Sequence, residues 1–205
     1  MPLERSQIRI RDAAVELFAE KGSSEVSVTE LAKAAGIARG TVYNNVEDPQ
    51  NLFEEVAAEL AAEMYRRILV SYAEVDDPAV RLAHGIRFYI RRAHEEPAWG
   101  RFITRFAFSE GSLREMWTGP PMQDVLLGIA RGRYDFPQVQ VPSVLAMIGG
   151  TSVSAMLMVA EGHRSWRDAG SECAALVLRA LGIDADEARA IACLELPPLL
   201  EVEVS

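Results

Sequence analysis

The chain has 205 residues, of which 49% are hydrophobic, and it carries a formal net charge of −9 with a pI of about 4.9. This length and hydrophobic content support a substantial core and exclude an extensively disordered chain. The acidic balance argues against a protein that holds nucleic acid by charge alone. The N-terminal sequence has no apolar segment of the signal-peptide kind, so we expect a cytoplasmic protein.

The apolar pattern is helical almost throughout, and it predicts an all-α fold of about nine to ten helices. In the first helix, for example, Ile10, Ala13, Ala14, Leu17 and Phe18 recur at helical spacing. The predicted helices span about 6–21, 28–35, 39–45, 49–72, 78–94, 97–108, 122–133, 142–162, 165–181 and 184–195. The first three predict a small N-terminal domain over 1–48, followed by a larger helical domain over 49–205.

Residues 27–46 predict two short helices joined by a tight turn. Ser27 and Glu30 have the S-x-x-E spacing of a capping box, which satisfies free backbone N–H groups where a helix begins. Gly36 follows the apolar residues as a left-handed C-cap. Val42 then requires a second helix with one face toward a core. Such a pair is a helix-turn-helix, whose second helix is built to lie in the major groove of DNA.

The second short helix carries side chains suited to DNA. Arg39 lies in its first turn, where the helix dipole disfavours a cation unless a phosphate or guanine compensates. Gly40 would let the backbone approach another surface closely. The alternative to a DNA contact for Arg39 is a solvated side chain at the helix end. For Asn45 the alternative is that it caps the end of the helix. The residues predicted to contact DNA are Ser27, Thr29, Arg39, Gly40, Thr41, Tyr43, Asn44 and Asn45.

The electrostatic support for this surface is small. Residues 1–46 carry six basic and six acidic side chains, so the negative charge of the protein lies in residues 47–205. Glu47 and Asp48 directly follow the second short helix and would repel a DNA backbone. We therefore expect non-specific DNA binding to be weak and sensitive to salt.

In the same region the chain resembles the TetR family of transcriptional regulators. The resemblance covers about residues 8–56, read here as AAVELFAEKG…SVTELAKAAGIARGTVYNNVEDPQNLFEEV. Three positions depart from the family pattern. Ala38 replaces the usual Ser or Thr cap, Asn45-Val46 replaces a His-Phe ending, and Pro49 replaces a Lys that meets a phosphate.

The resemblance implies a DNA-binding domain over 1–48 and an effector-binding and dimerisation domain over 49–205. The function it implies is a ligand-responsive regulator, expected to be a repressor. It would bind a palindromic operator as a homodimer and be released by a small apolar or amphipathic effector. The alternative is a helical ligand-binding or interaction protein that has lost strong DNA affinity.

Aromatic and methionine side chains gather in the middle of the chain, where they could line an adaptable apolar pocket. They suit an ordinary core equally well. The candidate pocket residues are Met64, His84, Phe88, Trp99, Phe102, Phe106, Met116 and Trp117. Arg87, Arg91, Arg101 and Arg105 could meet an anionic ligand or form a solvated face.

The last two large helices predict a dimer interface. Small residues on the uncharged helix 142–162 permit close helix approach, and the next helix presents apolar residues at helical spacing. In TetR-like proteins this pair of helices meets its twofold mate as a four-helix bundle. The predicted interface residues are Gly149, Gly150, Ser154, Met156, Leu157, Trp166, Cys173, Leu176, Val177 and Ala180.

Other classes of function find little support in the sequence. It contains no H-E-x-x-H, no phosphate-binding glycine loop and no nucleophile elbow, so no enzyme activity, cofactor or metal is predicted. Cys173 and Cys193 both lie in apolar helical runs and are predicted to be buried free thiols. Residues 141–160 carry no charge, but their Gly and Ser content favours a buried helix over a membrane span.

Overall fold

The computed structural model describes residues 5–109 and 111–201, and within them the all-α fold is confirmed. A short 3-10 turn, Gln138–Gln140, precedes α9. The α-helices are α1 (Arg5–Lys21), α2 (Val28–Ala35), α3 (Arg39–Asn45), α4 (Leu52–Ser71), α5 (Pro78–Glu95), α6 (Pro97–Phe106), α7 (Gly111–Thr118), α8 (Pro120–Ala130), α9 (Val141–Ala160), α10 (Trp166–Ala180) and α11 (Ala185–Ala192).

Local sequence signals set several of these boundaries. Asp77 caps α5 by accepting a hydrogen bond from the backbone N–H of Ala79 at 2.8 Å, and Pro78 occupies the first turn. Ser165 caps α10 in the same way through the N–H of Asp168 at 3.1 Å. Asp184 caps α11 by accepting from Asp186 and Glu187. These caps satisfy donors that a helix cannot pair within itself.

The helices form a small head, α1–α3, on a larger body, α4–α11. In the body α5 is central and packs against α6, α8, α9, α10 and α11. The head joins the body through α1, which packs against α4 and α6. One continuous apolar core runs through both parts. The division at residue 48 stays a prediction, because the head and the body share this core.

Four features differ from the sequence-based prediction. Pro49 lies in a turn and α4 begins at Leu52, because the Asp48 carboxylate accepts the N–H of Gln50 at 2.9 Å and holds the turn. The α7 helix was not predicted. The α8 helix begins at Pro120 and not at residue 122, since proline is tolerated in a first helical turn. Cys173 is buried as expected, but Cys193 is exposed because it follows α11 at its solvent side.

The uncharged helix α9 packs into the body along one part of its surface. By length and composition alone, the stretch Gln138–Ala160 could cross a membrane. Half of that stretch is buried inside the protein, against neighbours that include α5, α8 and α10. This is the arrangement of a core helix in a soluble protein, in agreement with the sequence-based expectation.

Candidate nucleic-acid interface and ligand cavity

A capping box at its start and a left-handed glycine at its end fix the bounds of α2. Ser27 accepts the N–H of Glu30 at 3.2 Å, and the Glu30 carboxylate accepts the N–H of Ser27 at 2.9 Å, which completes the capping box. The backbone N–H and the hydroxyl of Ser27 both donate to the Glu30 carboxylate, and with a bond from Lys21 they lower the pKa of Glu30 to about 2. Gly36 ends α2 at φ 62°, a left-handed conformation that suits glycine.

One face of α3 anchors the helix and the other is open. Val42 is fully buried in the core, whereas Arg39, Gly40, Tyr43 and Asn44 are exposed. Tyr43 keeps 63% of its surface accessible, which is unusual for a large aromatic side chain. Apart from the backbone of α3 itself and the two adjoining residues, no atom of residues 5–109 or 111–201 lies within 4 Å of the position that a Gly40 side chain would take. A flat surface could therefore approach the backbone of α3 there.

The remaining predicted DNA contacts fall into two groups. Ser27 and Thr29 are exposed at the start of α2. Thr41 and Asn45 are half-buried. Asn45 donates to the backbone oxygen of Thr41 at 2.7 Å and accepts from the Ser6 hydroxyl at 3.2 Å, so it ties α3 to α1. These bonds fit the alternative in which Asn45 stabilises the end of its own helix.

A second feature is a small apolar cavity in the body, bounded by α4, α5, α7, α8 and α9, with about 20 Å³ of free space. Its walls are mostly aliphatic and aromatic. The lining residues are Ile68, Tyr72, Leu82, Gly85, Ile86, Tyr89, Trp117, Pro120, Pro121, Asp124, Ile148 and Ser152. A concave apolar site with a few polar groups is the usual form of a small-molecule site.

Asp124 is the charged group of the cavity and is 2% exposed. Burial raises the pKa of Asp124 to about 6, against the opposing effect of the Arg81 guanidinium. Arg81 donates to the carboxylate at 2.7 Å, and the Tyr72 hydroxyl donates to it at 3.3 Å. The Arg81 guanidinium also lies over the Tyr72 ring, 4.6 Å from its centre. The three side chains form one polar cluster, in which Asp124 and Tyr72 are buried and line the cavity and Arg81 is half-buried.

The structure distributes the eight predicted pocket residues over several places. Trp117 lines this cavity, and Met116 lines a separate depression of about 360 Å³ between α4 and α7. Phe102 and Phe106 belong instead to a cluster of rings with Phe18 and Phe53, packed between head and body.

The other four predicted pocket residues pack in the interior and do not line the cavity. Trp99 stacks on Tyr89, and the buried guanidinium of Arg92 lies 4.6 Å from the centre of the Trp99 ring. The same guanidinium contacts the sulfur of Met64 at 3.7 Å. His84 packs against Phe88, and burial lowers the pKa of His84 to about 4. These four predicted pocket residues therefore contribute to the packing of the core.

Sequence reasoning missed Asp124, Arg81 and Tyr72. The signal for Asp124 was present, since it is the one carboxylate in the otherwise uncharged sequence PPMQDVLLGIA of α8. An isolated charge in an apolar helix usually has a buried partner. Tyr72 and Arg81 gave no such signal, because each is an ordinary residue near a helix end.

The predicted dimer residues also separate into two groups. Gly149, Met156, Cys173 and Val177 are buried within the subunit, where they pack against their own chain. They are interior residues because helical periodicity turns only part of each helix outward. The predicted residues that remain partly or fully exposed on α9 and α10 are Gly150, Ser154, Leu157, Trp166, Leu176 and Ala180.

Comparison with protein families gives matches over most of the chain. Residues 10–56 match the family of bacterial regulatory proteins called tetR, and residues 77–193 match the tetracyclin repressor-like C-terminal domain. An uncharacterised helix-turn-helix regulator of Mycobacterium tuberculosis is 32% identical over 96 residues, 47% of this chain. The AcrR regulator of Shigella flexneri is 40% identical over 53 residues, 26% of this chain and 25% of its own.

The chain spans about half the length of the curated relatives it matches first, 48% for the mycobacterial protein. Among solved structures, RolR in complex with resorcinol has a TM-score of 0.68 at 27% identity, over 96% of this chain and 97% of RolR. Bacillus subtilis FadR with stearoyl-CoA has a TM-score of 0.68 at 22% identity, over 86% and 99% of the two chains, and shows the shared fold. The head and body together therefore place this chain in the TetR family of transcriptional regulators.

Proposed function

We propose that the protein is a ligand-responsive DNA-binding repressor that acts as a homodimer on a palindromic operator. The observation that carries this proposal is the orientation of α3. Its buried residue Val42 fixes the helix to the head, and Arg39, Gly40, Tyr43 and Asn44 are left on the open side. This is the surface that a recognition helix presents to the major groove.

The cavity in the body is the proposed effector site. RolR, which shares 27% of its sequence with this chain, binds resorcinol, and this supports a small-molecule effector here. The cavity lies between α4, which follows the head, and α9, which contributes to the proposed dimer surface. An effector that favours one spacing of the two heads would change the fit of the dimer to successive grooves.

Selection of bound sequences from a random duplex pool tests DNA binding. The protein is exposed to the pool at low salt and again near physiological salt. Recovery of a palindrome with half-sites about 34 Å apart, or a multiple of that distance, is expected for a twofold dimer. No enrichment at either salt would contradict the regulator and favour the alternative, an interaction protein that has lost DNA affinity.

Arg39→Ala tests the assignment of the DNA surface. Loss of a base or phosphate contact should weaken operator binding by about 1–3 kcal/mol, and loss of a base contact should also relax preference at one base position. Arg101→Ala is the matched control, because Arg101 is an exposed arginine of the body. Equal operator affinity of the two variants, measured by fluorescence anisotropy, would remove Arg39 from the interface.

A further inference from the structure

We propose that Arg11 is a positioning residue for operator binding, which holds the DNA-binding head in one orientation on the body. The inference rests on the proposed function, the binding of a dimer to two half-sites. Arg11 lies on α1 and reaches two carboxylates of α4, Glu59 and Glu63. The supporting observations are the bonds that tie α3 to α1, the gap that Arg11 spans and the way the body fixes Glu63.

The helix α3 is tied to α1, so the two move together. The Ser6 hydroxyl of α1 donates to Asn45 at the end of α3, at 3.2 Å. Arg9, further along α1, donates to the backbone oxygen of Gly36 in the turn between α2 and α3, at 3.0 Å. The α1 helix also packs against both α2 and α3. A change in the orientation of α1 is therefore passed on to the proposed DNA surface.

Arg11 spans a gap between head and body. A depression of about 290 Å³ lies between α1 on one side and α4, α5 and α6 on the other, and Arg11 and Glu63 line it. Across it the Arg11 guanidinium donates to Glu59 at 3.1 Å and lies 3.9 Å from Glu63. Phe18, about 10 Å further along α1, packs against Phe53 of α4. Two separated attachments fix the direction of a helix, whereas one leaves it free to tilt.

The body holds Glu63 in place for this contact. One carboxylate oxygen of Glu63 accepts from Arg92 at 2.8 Å and from Arg67 at 3.4 Å. The other oxygen faces Arg11. Arg92 is only 4% exposed, and a buried guanidinium requires ionised partners, of which Glu96 at 3.0 Å is the second. Glu63 is therefore a fixed anion of the body, toward which Arg11 points from the head.

A fixed head favours one spacing of half-sites. A head that is already oriented loses less freedom when it binds, which raises the affinity for an operator that fits. The same rigidity penalises an operator that does not fit. One base pair inserted between the half-sites moves them about 3.4 Å further apart and also rotates one relative to the other. Loss of Arg11 should therefore lower both the affinity and the discrimination between spacings.

Operators of two spacings test the role of Arg11. Fluorescence anisotropy measures the affinity for the selected operator and for the same operator with one base pair inserted at its centre. We expect Arg11→Gln to bind the selected operator about threefold to tenfold more weakly and to discriminate against the insertion about threefold less. Arg11→Lys, which keeps the charge, should restore part of the discrimination. Glu59→Gln should reproduce the loss, and the double variant should add less than about twofold to it.

Arg133→Gln is the matched control. Arg133 is 25% exposed, as Arg11 is, and it pairs with two carboxylates, but Asp77 and Glu187 both belong to the body. Its loss should leave the discrimination unchanged, and circular dichroism verifies that each variant is folded. An Arg11 variant that loses affinity equally for both operators would have only a structural defect, which would overturn the inference. Unchanged affinity and discrimination would overturn it as well.

A measurement without DNA separates this inference from the proposed function. Spin labels on the exposed Cys193 of the body and at Lys33→Cys in the head report the distance between head and body by pulsed electron resonance. An excess of unlabelled chain restricts the signal to one subunit. The distance distribution should broaden in Arg11→Gln and not in Arg133→Gln. An equally narrow distribution in the Arg11 variant would overturn the positioning role, whereas a wild-type chain that binds no operator would contradict the regulator itself.

Discussion

Gly40 lies in α3 at a point where helix stability and DNA contact make opposite demands. A helix with glycine at an interior position is less stable than the same helix with alanine by about 0.5–1 kcal/mol, because glycine loses more backbone freedom on folding. In the part of the chain that the structure describes, no atom of another element lies within 4 Å of the missing side chain, so packing among those residues gives no reason for glycine. Close approach of another molecule to the α3 backbone accounts for the choice.

Gly40→Ala should therefore raise stability and weaken operator binding. The expected gain is about 0.5–1 kcal/mol in the free energy of unfolding. Urea denaturation measures the gain, and fluorescence anisotropy with the selected operator measures the affinity. Gly111→Ala is the control, since that helical glycine also has open space around it among the described residues but lies at the start of α7, outside the cavity lining. A Gly40 variant with unchanged operator affinity would contradict close approach.

The Asp124 carboxylate gives stability a specific pH dependence. Its pKa of about 6 in the folded protein lies above the value of about 3.9 expected in the unfolded chain. The folded state therefore holds this proton more tightly. The stabilisation that protonation provides is present at pH 4 and is lost as pH rises through 6.

Asp124→Asn should remove this dependence. From pH 4 to pH 7, the stability of the variant should rise relative to the wild type by about 2–3 kcal/mol. Urea denaturation at several pH values measures the difference. The exposed Asp76→Asn, which removes a surface partner of Arg131, is the control and should show no comparable change. Parallel curves for the wild type and the Asp124 variant would contradict the assignment.

At the scale of elements, α6 forms the principal link between head and body. Arg105 on α6 donates to the backbone oxygens of Ala19 and Glu20 at 2.5 and 3.3 Å, near the end of α1. Those carbonyls lack partners within the helix, and a cation there also suits the helix dipole. Beside this contact, Phe18 and Phe53 meet edge to face with ring centres 4.9 Å apart. Because α6 also packs against α5 and α9, it connects α1 with the helices that line the cavity.

Arg105→Gln should weaken the communication between effector and DNA. We expect the effector-induced change in operator affinity to fall about threefold to tenfold, within the usual range of coupling between sites. The measurement is operator affinity with and without a saturating effector. Arg101→Gln changes an exposed arginine of the same helix and serves as the control. Unchanged coupling in the Arg105 variant would show that the signal travels by another route, such as α4.

At the scale of the whole molecule, the exposed apolar residues of α9 and α10 define the proposed dimer surface. Leu157 and Met158 on α9 are 42% and 38% exposed, and Leu176 on α10 is 59% exposed. Burying such side chains contributes about 25 cal/mol per Å² of apolar surface. A twofold pairing of these helices would cover them in both subunits and present two heads to one operator.

Leu176→Asp should dissociate the dimer, because the interface would then bury two unpaired carboxylates. Sedimentation velocity should show a shift from dimer to monomer, with operator affinity falling at least tenfold. Leu126→Asp is the matched control: Leu126 is 40% exposed but lies on α8. Dimers that persist in the Leu176 variant would place the interface elsewhere.

The sequence by itself determined the helical fold and the outline of the head. The capping box at Ser27, the left-handed Gly36 and the buried Val42 were all predictable, because each depends on neighbours within a few residues. The α7 helix was missed, although Gly119 and Pro120 mark its end, because its eight residues give only a short apolar pattern.

Only the tertiary structure decided which side chains form the cavity. Asp124 meets Tyr72 across 52 residues of sequence and Arg81 across 43. Phe102 and Trp117 are both buried aromatic residues, yet one packs between head and body and the other lines the cavity. Periodicity shows that a side chain faces inward, but which groups it meets depends on how distant helices pack together.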